Sequence, residues 1–147
     1  EKNEKLFLLL RKGLLVLSKL EKDFLKFILA YELKYISFLG YKPYLEGCVN
    51  CCSRDLNQIK FNIDRGGIVC KSCFHVVPYC ENMDFNMYKA IKILLYTPLD
   101  EVICLKIPKD TTFKLHAIME KYILNKIDRK GFNSLNMLKS MKNNGGV

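Results

Sequence analysis

Cys48-Val49-Asn50-Cys51 and Cys70-Lys71-Ser72-Cys73 are two C-x2-C knuckles, and the residues that join them decide the fold. Between the knuckles, Gln58 to Ile63 and Gly67 to Val69 are short β-type runs. Asp64-Arg65-Gly66-Gly67 supplies the positive φ angles of a tight turn between them. A hairpin of this kind brings both knuckles to one end, where four thiolates can close a tetrahedron around zinc at about 2.3 Å. With sulfur at all four corners no position is left for water, so the metal implied is structural rather than catalytic. The predicted ligands are Cys48, Cys51, Cys70 and Cys73. Cys52, His75 and Cys80 lie close enough in sequence to substitute for one of them, and Cys104, between Ile103 and Leu105, reads as a small core residue. Four reduced core cysteines or two disulfides are the competing readings. An odd total of seven cysteines and the lack of a secretory signal weigh against disulfides.

Working outward, helical periodicity flanks this module on both sides. Residues 1–40 read as a helical hairpin. Leu6, Leu9, Leu10, Leu14 and Leu17 form the first stripe, while Phe24, Phe27, Ile28, Tyr31, Tyr35 and Phe38 line one side of a second helix that stops at Gly40. Residues 41–80 are the zinc-finger module, and residues 81–138 return to helices of the same bundle. The spacing predicts a helix from Met83 to Tyr96 and a short one capped at Thr97-Pro98 and ended by Pro108. A longer helix, capped by Asp110 or Thr111, runs to about Lys126 over Leu115, Ile118, Met119, Tyr122 and Ile123. Residues 139–147 read as a flexible polar tail. The fold class expected is mainly α, a helical bundle with an inserted four-cysteine zinc-finger β-hairpin.

The 147 residues carry 24 Lys and Arg against 15 Asp and Glu, a net charge of +9 that favours polyanions or acidic peptides. The excess is spread along the chain. Its densest group, Lys126, Arg129 and Lys130, is the candidate DNA contact, although the same residues also suit the negative end of a helix dipole. The aromatic series Tyr31, Tyr35, Phe38, Tyr41 and Tyr44 reads either as a base-stacking platform or as a core stripe, and a groove rimmed by lysines suits a short acidic peptide. Charges interrupt every apolar stretch before the roughly 18 consecutive apolar residues of a membrane span. The two histidines, His75 and His116, belong to no recognisable nucleophile motif, and no phosphate loop or dinucleotide fingerprint is present, so no enzyme is expected.

The run Phe38-Leu39-Gly40-Tyr41-Lys42-Pro43-Tyr44-Leu45 leading into Cys48 and Cys51, then Phe61, Gly66-Gly67, Cys70 and Cys73, resembles the zinc-finger region of the bacterial recombination mediator RecO. The resemblance reaches back to Tyr31-Glu32 and forward to Pro98-Leu99 and the segment from Ser134 to Leu138. It implies a cytoplasmic, nucleoid-associated and non-enzymatic DNA repair protein. Such proteins bind single- and double-stranded DNA, anneal complementary strands and, with RecR, help to load RecA onto DNA coated by single-strand binding protein. The acidic tail of that protein is an implied partner, with Phe27, Tyr31, Lys34 and Tyr35 as the candidate groove. The first residue is Glu1, and the chain is read as the part that follows an OB domain. Leu29 stands where many members have Arg, and Cys52 where glycine is frequent. A zinc-ribbon scaffold of another complex, or a thiol redox switch using Cys51, Cys52 or Cys80, remains the alternative.

Overall fold

The two apolar runs that open the chain form α1 (Lys2–Ser18) and α2 (Phe24–Phe38) in the computed structural model, which describes residues 1–129. Next come β1 (Ile59–Asn62), β2 (Gly67–Cys70) and β3 (Cys80–Met83), then α3 (Phe85–Tyr96) and α4 (Lys109–Arg129). The expected class holds: a helical fold carries a small antiparallel sheet beside four clustered cysteines. Residues 130–138 of the last expected helical segment, including Ser134 to Leu138, and the tail 139–147 lie outside the described residues.

The bundle is organised around α2, which packs against α1, α3 and α4. It buries Phe27, Leu29, Ala30, Leu33 and Ile36 on the sides that meet these neighbours, and leaves Phe24, Ile28 and Phe38 exposed. The aromatic side expected from the sequence is thus only partly buried, with Phe27 in the core and Tyr31 and Tyr35 half-buried against it, because a helix with three neighbours is buried according to where they lie. In α1 the expected leucine stripe is also displaced. Leu9 and Gly13 are buried, with Leu6 and Val16 beside them, while Leu10, Leu14 and Leu17 face outward. Gly13 sets this seam. A Cβ there would come within 2.7 Å of Tyr31 Cε2, so only glycine lets the ring lie across α1.

In the sheet, β1 is central: it pairs with β2 from Ile59↔Cys70 to Asn62↔Gly67 and with β3 from Ile59↔Met83 to Asn62↔Cys80. Leu45, Ile59, Phe61, Ile68 and Met83 join the core of the bundle, whereas Val69, Cys70, Cys48, Cys73 and Val77 form a separate small cluster. The sequence pattern places Cys80 to Asn82 before the helix and Met83 at its start, whereas the structure makes all four residues a strand. Its sequence, Cys-Glu-Asn-Met, has no β-branched residue, and pairing with β1 makes it a strand. The helix starts two residues later, where Asp84 caps it by accepting from the Met87 N–H at 2.8 Å.

Among the described residues two α-helices, not three, follow the module. The stretch after Thr97-Pro98 makes only a 3-10 turn at Val102–Cys104, in which Val102 is buried and Cys104, expected in the core, is exposed. The ammonium of Lys26 holds this stretch by donating to the carbonyls of Ile103 (3.3 Å) and Leu105 (2.6 Å). α4 starts at Lys109, ahead of the expected caps; Asp110 pairs instead with Lys114 at 2.8 Å, and Thr112 Oγ1 donates to the Pro108 carbonyl. Among the described residues no helix is long and apolar enough to cross a membrane.

Candidate metal centre

The approach to the first knuckle runs beside β2. Tyr44 N–H donates to Gly66 O, Ile68 N–H to Tyr44 O and Val49 N–H to Ile68 O, at 2.9, 3.1 and 2.8 Å. Gly67 makes this closeness possible, since a Cβ there would meet Tyr44 O at 2.7 Å. The knuckle itself closes through Cys52 N–H to Cys48 O (2.9 Å) and Cys48 N–H to Ser53 O (2.8 Å). Cys52 has φ +62°, a left-handed conformation that glycine adopts most easily, and it lies at the position where the resemblance expects glycine. The second knuckle starts at the end of β2 and turns through a 3-10 segment, Lys71–Cys73, with Val76 and Val77 N–H groups donating to Cys73 O.

The knuckles bring the Sγ atoms of Cys48, Cys51, Cys70 and Cys73 within 4.8 Å of one another, with Cys51 and Cys70 at 3.6 Å. A tetrahedron with metal–sulfur bonds of about 2.3 Å has sulfur–sulfur edges of about 3.8 Å, so the cluster is of the right size for one ion. Cys48, Cys70 and Cys73 are buried and Cys51 is exposed. Asn50 supports two of the sulfurs: its backbone N–H points to Cys48 Sγ (3.4 Å) and its Nδ2 to Cys73 Sγ (3.3 Å), while Arg65 donates to its Oδ1 at 2.8 Å. N–H groups directed at sulfur favour the thiolate, the form in which cysteine binds metal.

Burial and hydrogen bonding act in opposite directions on these thiols. Burial alone raises Cys48, but N–H groups around Cys70, Cys51 and Asn50 more than offset it and bring the thiol down to about 6. Burial, followed by the neighbouring thiols of Cys51 and Cys48, pushes Cys70 up to about 12. A bound divalent cation would favour the thiolate form of all four sulfurs. The possible substitutes lie outside the cluster. Cys52 and His75 are exposed, and Cys80 is occupied by a bond to Val77 O at 3.4 Å and by Asn62 Nδ2 at 3.6 Å.

The other predicted site residues are dispersed. Lys126 is buried, its Nζ donating to Asp64 O at 2.6 Å and lying 5.3 Å from the centre of the Tyr122 ring. Arg129 is the last residue of α4, and Lys130 is outside the described residues. Phe27 is buried in the core. Lys34 Nζ donates to Leu94 O (3.3 Å) and Leu95 O (3.1 Å), capping the last carbonyls of α3. Tyr31 and Tyr35 stack at 6.5 Å, half-buried. A cleft of about 300 Å³ lies beside Lys34, with Leu8, Phe38 and Leu99 forming its floor and Lys5 and Lys12 its rim. Sequence reasoning missed Asn50, whose position inside the first knuckle was the available signal. It also missed Lys26, for which the sequence offers none.

These features define a helical bundle with a small antiparallel sheet that carries a cluster of four cysteines able to hold a metal ion. The family described as "Recombination protein O C terminal" matches residues 1–136, and the chain belongs to it. It is 30% identical to the DNA repair protein RecO of Alkaliphilus metalliredigens over 139 residues, covering 95% of this chain and 56% of the relative. To the RecO of a Thermoanaerobacter species it is 30% identical over 143 residues, covering 97% and 57%. To that of Caldanaerobacter subterraneus it is 35% identical over 96 residues, covering 65% and 37%. The chain thus spans about half the length of these relatives. No solved structure matches it.

Proposed function

We propose that this chain is the zinc-bearing helical part of a DNA repair and recombination mediator, acting in the bacterial cytoplasm at the nucleoid. It binds single- and double-stranded DNA, supports the annealing of complementary strands and, together with RecR, the loading of RecA, without catalysing covalent chemistry itself. The observation that carries this reading is the match to one family over residues 1–136 in a chain whose four-cysteine cluster has the size of a thiolate metal site. Zinc held by Cys48, Cys51, Cys70 and Cys73 would fix both knuckles and leave the reaction chemistry untouched. The net charge of +9 supports a phosphate-rich partner. The acidic tail of single-strand binding protein suits the cleft beside Lys34, where lysines surround an apolar floor.

Metal analysis of purified protein is expected to give one zinc per chain. Fluorescence anisotropy with labelled DNA is expected to show binding that weakens steeply with salt. Absence of zinc together with absence of DNA binding at low ionic strength would overturn the reading. For the tail, a labelled acidic peptide ending in phenylalanine is expected to bind, and Lys5→Glu with Leu8→Ala to weaken it; equal affinity in that variant removes this cleft from the proposal.

A further inference from the structure

One face of the molecule combines two aromatic rings, Phe85 exposed and Phe74 half-buried, with lysines that form no ion pair among the described residues. Where the sheet meets the start of α3, Phe74 and Phe85 line an open cleft of about 560 Å³. Phe85 is 59% exposed although it opens a helix beside the core. Each ring carries its own ammonium: Lys60 Nζ lies 4.7 Å from the centre of the Phe74 ring, and Lys89 Nζ 4.5 Å from that of Phe85. Between them Gln58 and Asn82 are exposed amides. A second cleft shares Asn57 and Gln58 with the first and continues it toward Lys71 and Ser72.

The carboxylates along this path are engaged elsewhere. Asp84 accepts from the Met87 N–H, Asp55 from the Asn57 N–H at 3.3 Å, and Asp110 is paired with Lys114. Among the described residues Lys60, Lys71 and Lys89 form no ion pair. Aromatic surface flanked by free ammonium groups suits a polyanion whose bases are unstacked, since a base can lie on a ring while its phosphate meets the neighbouring lysine. A duplex offers the phosphates but keeps its bases stacked on one another. We infer that the cleft between Phe74 and Phe85, with Lys60 and Lys89, is a binding path for single-stranded nucleic acid. The inference rests on the DNA-binding reading above and places the contact far in sequence from Lys126, Arg129 and Lys130.

The test uses the full zinc-loaded chain and a labelled oligothymidine, with a blunt duplex of equal length as comparison, read by fluorescence anisotropy. Phe85→Ala and the pair Lys60→Ala with Lys89→Ala are each expected to weaken oligothymidine binding by about five- to tenfold, and the lysine pair also to flatten the salt dependence. Lys60→Arg with Lys89→Arg should keep the affinity, and Lys22→Ala with Lys106→Ala, exposed lysines away from the cleft, should change it by less than about twofold. All five substituted positions are at least partly exposed, and thermal melts are to confirm that the variants fold. If the wild type binds oligothymidine and the cleft variants bind it equally well, the inference is overturned and DNA binding stands. Binding to duplex alone has the same consequence. Binding to neither DNA overturns both.

Discussion

The Tyr122 hydroxyl on α4 donates to the backbone carbonyl of Tyr41 at 2.8 Å, across 81 positions of sequence. The Tyr122 ring also meets Phe61 of β1 edge-on, with centroids 5.4 Å apart at 87°, and fills the space that a side chain at Gly66 would need. One side chain therefore fastens α4 to the segment that leads into the cysteine module, to its central strand and to its hairpin turn. Burial, with Tyr41 nearby, pushes its phenol to about 12.

Tyr122→Phe removes the hydrogen bond and keeps the ring, and is expected to cost about 1 kcal/mol. Tyr122→Ala removes the ring as well and is expected to cost about 3–5 kcal/mol. Urea denaturation with an unchanged slope checks both. Equal stability of the phenylalanine variant and the wild type would show that the bond to Tyr41 contributes nothing.

Removal of metal should loosen part of the module rather than all of it. Ile59, Phe61, Ile68 and Met83 belong to the core of the bundle, whereas Cys48, Val69, Cys70, Cys73 and Val77 form their own small cluster. Chelation is expected to make the knuckles at residues 48–53 and 70–77 open to protease and to lower the melting temperature, while the helical circular dichroism signal persists. Cys48→Ser and Cys70→Ser should behave alike. Unchanged protease resistance after chelation would rule out a structural metal.

Two buried ammonium groups serve the fold. Lys26 Nζ holds Ile103 O and Leu105 O, and Lys126 Nζ holds Asp64 O. Lys26→Met and Lys126→Met are each expected to cost about 2 kcal/mol, because buried carbonyls lose a charged donor. Lys126→Met should leave the affinity of the folded protein for DNA within about twofold of wild type, a loss of one surface phosphate contact being the alternative that a salt titration would reveal.

Glu32 makes stability depend on pH. Burial raises its carboxyl above the usual range; His116, with Nε2 at 4.0 Å from Oε2, lowers it, and Glu120 raises it further. Oε2 is buried with no hydrogen-bond partner. A carboxyl raised in the folded state favours folding while it is protonated, and that advantage is lost as pH rises through the folded value. Above this value Glu32→Gln should melt about 1–3 °C higher than wild type, and the difference should shrink to nothing in acid. Parallel melting curves at every pH would show that Glu32 does not titrate with folding.

How much was legible in the sequence varied with the range of the forces involved. Where a signal is local, residues suffice: a tight turn with Gly66 at φ +68° joins β1 to β2 as expected, although Gly67 already belongs to β2, and two helices form within residues 1–40. Where an element depends on a distant partner, they did not. β3 exists because β1 offers it hydrogen bonds, and the stretch after Pro98, which makes only a 3-10 turn, is held by Lys26 through the carbonyls of Ile103 and Leu105. The outward faces of Leu10, Leu14 and Leu17 follow from a seam fixed by Tyr31 against Gly13, which helical periodicity within α1 does not encode.

By itself the sequence determined the helical class, the hairpin and the four cysteines that cluster, since C-x2-C knuckles and a glycine turn impose short-range geometry whatever surrounds them. Only the tertiary structure decided which lysines face solvent and which are spent on carbonyls. Spacing cannot distinguish Lys126, buried against Asp64, from Lys60, lying over Phe74, because an ammonium's role depends on what the folded chain brings within about 3 Å of it.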